Sequence, residues 1–183
     1  MVQEAPLRDT GDGLAPAGEG WFVLNARDAR WRAEGTGGRL TFFEGDGEPW
    51  RLGINVSVLE PGQPMAMYHW EGDQEDFLVV TGEALLVVEG QERPLRAWDF
   101  FHCPPGTHHV IVGAGEGPCV VVAVGARSEG DDTGAYTVDE AALRHGAGVE
   151  RETTSPAEAY ARFPPHAFTR YGEGWLPDLG ERT

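Results

Sequence analysis

Lysine is absent from the 183-residue chain; all 14 basic residues are arginine. That excludes Schiff-base chemistry on a lysine amine, including the usual attachment of PLP. Cysteine is scarce, with Cys103 and Cys119 alone. Two thiols without an export signal read as reduced cytosolic residues, and no disulfide framework is expected. Cys119 opens the apolar run CVVVAV and reads as a small buried hydrophobe, whereas Cys103 stands beside His102 and has the better claim to chemistry. No apolar run approaches the ~20 residues of a membrane span. The start, MVQEAPLRDTGDG, has neither the basic segment nor the apolar core of a secretory signal, so the expected location is cytoplasmic. Positive charge is short overall: 30 acidic residues against 14 arginines give a formal charge of -16. Such a surface repels phosphate backbones and anionic membranes, so neither nucleic acid nor membrane is an expected partner.

Turn-forming residues, by contrast, are plentiful, with 26 Gly and 13 Pro. Residues 1–20 are rich in Gly, Pro and acids and read as a mobile arm. Strand-like runs follow at Trp21–Asn25, Arg39–Glu44, Arg51–Glu60, Met65–Glu71, Glu75–Thr81, Ala84–Glu89, Phe100–Cys103, His109–Val112 and Cys119–Gly125. Gly and Pro turns separate them, and no helical crossover intervenes. This pattern predicts an all-β sandwich or barrel over 21–126. The extension 127–183 changes character. Thr137–His145 has a Thr cap, early acids, late Arg and His, and Gly146 as a stop; Ser155–Phe163 has Ser155 as cap and Pro156 at the first helical position. Two short helices are expected there. The final stretch carries Tyr171, Trp175 and Leu176, apolar groups that should dock on the barrel or on a neighbouring subunit. With the Trp21–Asn25 strand they are expected to cover sheet edges and contribute to a homodimer.

Four of the six histidines fall within forty-one positions, at 69, 102, 108 and 109. Alternation along a strand puts His69 and Glu71 on one face, and the Gly72-Asp73 turn returns the chain so that Glu75 opens the next strand. A hairpin of this kind gathers an imidazole and two carboxylates, a good donor set for a divalent cation. The plain alternative is an acidic hairpin in water, with His69 a surface histidine. Downstream, Phe100-Phe101-His102-Cys103 leads into the Pro104-Pro105-Gly106 turn, and His108 and His109 must point to opposite faces of the strand beyond it. Met65, Met67, Phe77, Val79 and Phe100 would line an apolar pocket or fill a small barrel's core.

Together the two segments resemble the paired motifs of the cupin superfamily. PGQPMAMYHWEGDQEDFLVVTG places Gly62, His69, Glu75 and Gly82 at positions of the first motif, with one extra residue between Gly62 and His69. Pro104-Pro105-Gly106 and His109 match the second with correct spacing, about 20 residues on. Glu71 stands where the first motif has its second His. Trp98 and Gly113 replace the leading Gly and closing Asn of the second. The resemblance covers about residues 50–126.

The resemblance implies a double-stranded β-helix, or jelly-roll barrel, with one divalent metal per chain (Zn, Mn or Fe). The ligands carried over are His69, Glu75 and His109, with Glu71 either a fourth ligand or a hydrogen-bonding neighbour. His102 is the candidate general base or extra ligand, provided that the face it shares with Phe100 and Pro104 points inward; otherwise it is a histidine bonded to the backbone. His108 reads as structural. The function expected is a metal-dependent enzyme, of oxygenase or isomerase/lyase type, acting on a small organic molecule. A non-catalytic binding or sensor barrel and a vestigial site remain open. The arginines nearest the motifs, Arg93 and Arg96, lie on a turn, and with no lysine available the sequence speaks against a phosphosugar substrate.

Overall fold

The computed structural model describes residues 1–33, 35–45, 50–128 and 133–178. In chain order its elements are β1 (Leu7–Asp9), β2 (Leu14–Pro16), β3 (Trp31–Ala33), β4 (Arg39–Phe42), β5 (Leu52–Leu59), β6 (His69–Glu71), β7 (Glu75–Thr81), β8 (Glu83–Val88), β9 (Gln91–Arg96), β10 (Phe100–Cys103), β11 (His109–Ala114), β12 (Cys119–Ala126), β13 (Gly134–Tyr136), α1 (Glu140–Arg144), α2 (Pro156–Ala159) and β14 (Ala167–Thr169). Two antiparallel sheets make the barrel. One is seven-stranded, in the order β10-β7-β12-β5-β4-β3-β14; the other is five-stranded, β13-β6-β11-β8-β9. This is an all-β jelly-roll barrel of cupin type, as the sequence predicts.

Alternation along each strand explains which residues fill it. Phe77 and Val79 of β7, Ala84 and Leu86 of β8, Ile111 of β11 and Val121 and Ala123 of β12 point between the sheets and form one core. Their strand neighbours point outward and are covered by the C-terminal segment. Val87, Val110 and Val112 pack against Ala141 and Ala142 of α1, while Trp31, Val58 and Val120 pack against Tyr171, Trp175 and Leu176. The Trp175 ring meets Trp31 edge-on at 5.4 Å, so the apolar tail docks on its own barrel.

Several expectations shift. The Trp21–Asn25 strand does not form; Trp21 makes only an isolated bridge with Glu4. Residues 1–20, expected as a mobile arm, carry the β1–β2 hairpin, and the Leu14 N–H donates to the Asp28 carbonyl at 2.8 Å. The run Met65–Glu71 is a strand only from His69, because the Tyr68 N–H turns away from the sheet to the Ala147 carbonyl at 2.7 Å. β9 escapes the sequence pattern because it is charged and holds Pro94; an edge strand tolerates the missing N–H.

Both helices form, each shorter than its sequence signal. Ser155 caps α2 as expected, with Pro156 at its start. Asp139, not Thr137, caps α1: its carboxylate accepts from the Ala142 N–H at 2.8 Å. The Thr137 hydroxyl instead meets His108 Nδ1 at 2.8 Å. Asp139→Ala is therefore expected to cost about 1 kcal/mol. A thermal melt should register that as a drop of roughly 2–4 °C, with Thr137→Ala acting through His108 rather than through the helix.

Candidate metal centre

Three strands bring the predicted ligands to one point inside the barrel. His69 of β6 and His109 of β11 are direct cross-strand partners, with ring centroids 4.9 Å apart. Glu75 opens β7 on the facing sheet, two residues before Phe77, and so shares that residue's inward face. One donor atom from each of His69, Glu75 and His109 lies within 4.8 Å of the others. Glu75 Oε2 stands 3.4 Å from His109 Nε2.

The imidazoles are oriented from behind. His69 Nδ1 lies 2.8 Å from the Met67 carbonyl, and His109 Nδ1 lies 3.1 Å from the Thr107 carbonyl. A carbonyl only accepts, so in the neutral rings each Nδ1 carries the proton and each Nε2 keeps its lone pair for the site. Two neutral imidazole nitrogens and a carboxylate are the donors that Zn(II), Mn(II) or Fe(II) take. The residues present therefore fit a divalent ion.

Glu71 lies outside that tight group. Its Oε1 is 3.4 Å from His69 Nε2 and its side chain is partly open to solvent. The hydrogen bond with His69 is the main cause that lowers its pKa, against the opposing effect of burial. The two histidines are tuned in opposite directions. Burial is the largest single influence on His69 and pulls its pKa down, but the Glu71 hydrogen bond and the Glu75 and Glu71 charges outweigh it, leaving the pKa raised. At His109 burial dominates and the His69 charge adds to it, bringing the pKa down to about 4. Cys103 Sγ lies 3.4 Å from His109 Nδ1, on the far side of the ring from Glu75. Burial, with the Glu75 charge, pushes this thiol up to about 12, so it remains a protonated thiol behind the ligand.

The inward position expected for His102 is not the one observed. Phe101 packs against the core and Cys103 is buried within it, so strand parity sends Phe100 and His102 outward. His102 Nδ1 pairs with Asp76 at 2.7 Å on the outside of the barrel, far from a general base's place in the cavity. His108 points away from His109, as expected, and stacks near Tyr68 and Trp70. Arg93 and Arg96 lie on β9, an exposed edge strand, rather than on a turn.

The site opens into a cavity of about 200 Å³ whose lining includes Asn55, Ser57, Met65, Glu71, Tyr136 and Tyr160. Of the apolar residues expected to line it, Met65 and Phe77 do, Val79 lies in the core, Met67 packs under α2 against Val149 and Ala159, and Phe100 is exposed. The two tyrosines carry no signal in the sequence that points to the cavity. β13 returns Tyr136 beside His69, and Tyr160, just after α2, meets Tyr136 edge-on at 5.5 Å. Burial, with the Tyr136 charge and hydrogen bond, raises the Tyr160 pKa, so that phenol stays protonated.

Fold and site together define a jelly-roll barrel with a His/Glu centre in its interior. Residues 55–125, the barrel segment that carries the site, match the family model of the cupin domain. No curated protein matches the chain. Among solved structures it is similar to an RmlC-like cupin from Shewanella frigidimarina, with 19% identity over 58% of this chain and 90% of that one and a TM-score of 0.50. It is also similar to a sugar phosphate isomerase of the cupin superfamily from Silicibacter pomeroyi (23% identity, 80% of each chain, TM-score 0.48). A proposed sugar phosphate isomerase from Acidithiobacillus ferrooxidans matches at 25% identity over 47% of this chain, with a TM-score of 0.43; the match spans about half, 55%, of that protein. Among the described residues, no helix is long and apolar enough to cross a membrane.

Proposed function

We propose that the chain is a metal-dependent enzyme that acts on a small organic molecule held in the cavity. The observation that carries this reading is the convergence of two Nε2 lone pairs and a carboxylate on one point inside a cavity, each imidazole fixed from behind by a carbonyl. His69, Glu75 and His109 would hold the ion. When bound, the ion supplies Lewis-acid polarisation of a ligand oxygen. Glu71 takes the part of proton carrier: its carboxylate faces the cavity, stands beside the donor set and has room to accept a proton from a ligand carbon or hydroxyl. Tyr160, kept as a phenol, orients the ligand by hydrogen bonding, and the apolar remainder of the lining displaces water around it.

Two experiments test the reading. Metal-loaded and chelated protein are incubated with a panel of small hydroxy and oxo compounds, and their consumption is followed. The loaded protein is expected to convert at least one compound and the chelated protein none. Binding without conversion by the loaded protein contradicts the enzyme reading and leaves a binding module. The second concerns Glu71→Gln. It should keep the metal of the wild type and lose turnover by a factor of about 100 or more. In the chelated variant the His69 ring should titrate at lower pH than in wild type, because the charge that raised it is gone. Loss of metal instead of turnover would make Glu71 a ligand.

A further inference from the structure

The register of the seven-stranded sheet extends the cavity wall beyond the motif strands. Ser57 of β5 pairs with Leu40 of β4, and Leu40 pairs with Arg32 of β3; Asn55 pairs in turn with Phe42. Directly paired residues share a face, so Arg32 and Phe42 lie on the face that lines the cavity through Leu40, Ser57 and Asn55. Trp31, of opposite parity, is buried under the tail on the outside. At this end of the wall Arg30 joins Arg32. The Arg30 guanidinium lies 4.3 Å from the Phe168 ring centroid, and that of Arg32 lies 4.8 Å from Phe42. Each also reaches the other's ring, at 5.5 Å and 5.4 Å.

Two like charges are thus gathered over two phenyl rings that tilt edge-to-face, 6.3 Å apart. Among the described residues neither guanidinium makes a salt bridge or a hydrogen bond, and Arg30 Nε is buried without an acceptor. The same holds for Ser57 Oγ along the wall. Stacking engages the flat faces of the guanidiniums and leaves their N–H edges for a ligand. A buried donor without an acceptor, beside a second unneutralised cation, is costly unless something supplies an oxygen. Among the described residues no acid of this chain of formal charge -16 bonds to either guanidinium, although Glu44 lies near enough to oppose the lowering of the Arg32 pKa by burial and by Arg30.

We infer that Arg30 and Arg32 form an oxyanion site that binds the carboxylate or phosphate group of a small ligand at the end of the cavity wall. Two strand spacings of about 4.8 Å separate Arg32 from Ser57. That step of roughly 10 Å covers only the outer part of the wall, since β7 with Glu75 lies two strands beyond β5; a ligand that places its anion on the arginines and runs past Ser57 and Asn55 must be longer than this to bring its other end to the His/Glu centre. That last assignment rests on the metal reading of the cavity; the anion site does not. The arginines nearest the motifs, Arg93 and Arg96, lie on the exposed edge strand β9, whereas the sheet brings this pair to the wall from residues 30 and 32.

The test uses the full chain stripped of metal by a chelator. Arginine Nε–Hε signals are followed by NMR as inorganic phosphate and, separately, succinate are added. Saturable shifts of the Arg30 and Arg32 signals are expected with at least one anion, and the tighter binder identifies the head group. Arg30→Gln and Arg32→Gln should each weaken binding by roughly 10- to 100-fold. Arg93→Gln, on the exposed edge strand, should leave it unchanged. Should a Gln variant fail to fold, Arg32→Met keeps the apolar stack and removes the donors. No saturable shift with either anion, or equal affinity in the arginine variants, overturns the site. Metal content measured on the same variants should stay at the wild-type level, so failure of the anion site and failure of the metal centre are read separately.

Discussion

His109→Ala and His69→Ala should each abolish the difference between metal-loaded and chelated protein in thermal unfolding. An ion that binds only the folded state raises stability by about 2.7 kcal/mol when present at one hundred times its dissociation constant. In a chain of this size that corresponds to a gap of roughly 5–10 °C. Each imidazole contributes one donor of three, and the remaining pair cannot hold the ion at ordinary concentrations. The chelated variants should nevertheless differ from each other. His109 is packed between Phe77 and Phe101, with ring centroids at 5.3 and 5.8 Å, so its truncation also leaves a hole in the core. His69 lies at the cavity, and its loss removes a partner of Glu71 instead. A β-rich far-UV spectrum in both variants separates metal loss from unfolding. A loaded-versus-chelated gap that persists in both would place the ion elsewhere.

Acidification should close the same gap in the wild-type protein, and the two histidines set its window. The His69 pKa is raised in the folded, metal-free protein. A raised pKa contributes stability that is present below the unfolded value of ~6.5 and is lost as pH rises through the folded value. Protons therefore compete directly with an ion for His69 Nε2, and do so at a higher pH than at a free imidazole. The His109 pKa is depressed to about 4. Its contribution has the opposite sign: it is present above ~6.5 and is lost as pH falls through about 4. The loaded protein should thus lose its ion on acidification at a higher pH than an unperturbed imidazole would dictate, as His69 takes its proton, and ion binding should release protons. Below about pH 6 the chelated protein should weaken as well, as His109 is driven toward protonation. Paired melts of loaded and chelated protein from pH 7.5 to 4.5 read both effects. Parallel curves across that range would mean that the stabilising ion is not linked to these histidines.

The barrel strands nearest the motifs were legible because period-two alternation and turn residues agree there. Glu75–Thr81 is the observed β7 without change, and Cys119–Gly125 falls one residue short of β12. The grouping of His69, Glu75 and His109 was legible because the resemblance lies in their spacing, and the register of β6 against β11 brings two of them face to face. What alternation alone leaves open is which parity faces inward. For His102 the sequence left both parities open: the burial of Cys103 and the packing of Phe101 against the core turn His102 outward, where it pairs with Asp76. The helix cap moved from Thr137 to Asp139 because both side chains are competent caps, and the tertiary partner His108 claims the first. Tyr136, Tyr160, Arg30 and Arg32 were not legible at all. They lie outside the motif segment; strand pairing and helix docking carry the two tyrosines to the cavity, and the pairing of β3 with β4 sets Arg32 beside Leu40 of its wall.

His69, Glu75 and His109 are expected to hold one ion in the folded chain. Elemental analysis of protein purified without added metal, compared with the His69→Ala/His109→Ala double variant prepared in parallel, tests it most directly. About one divalent ion per chain is expected in the wild type and only trace amounts in the folded double variant. Equal metal content in the two, or a wild-type protein that takes up no ion even when Zn(II), Mn(II) and Fe(II) are supplied in excess, would contradict it.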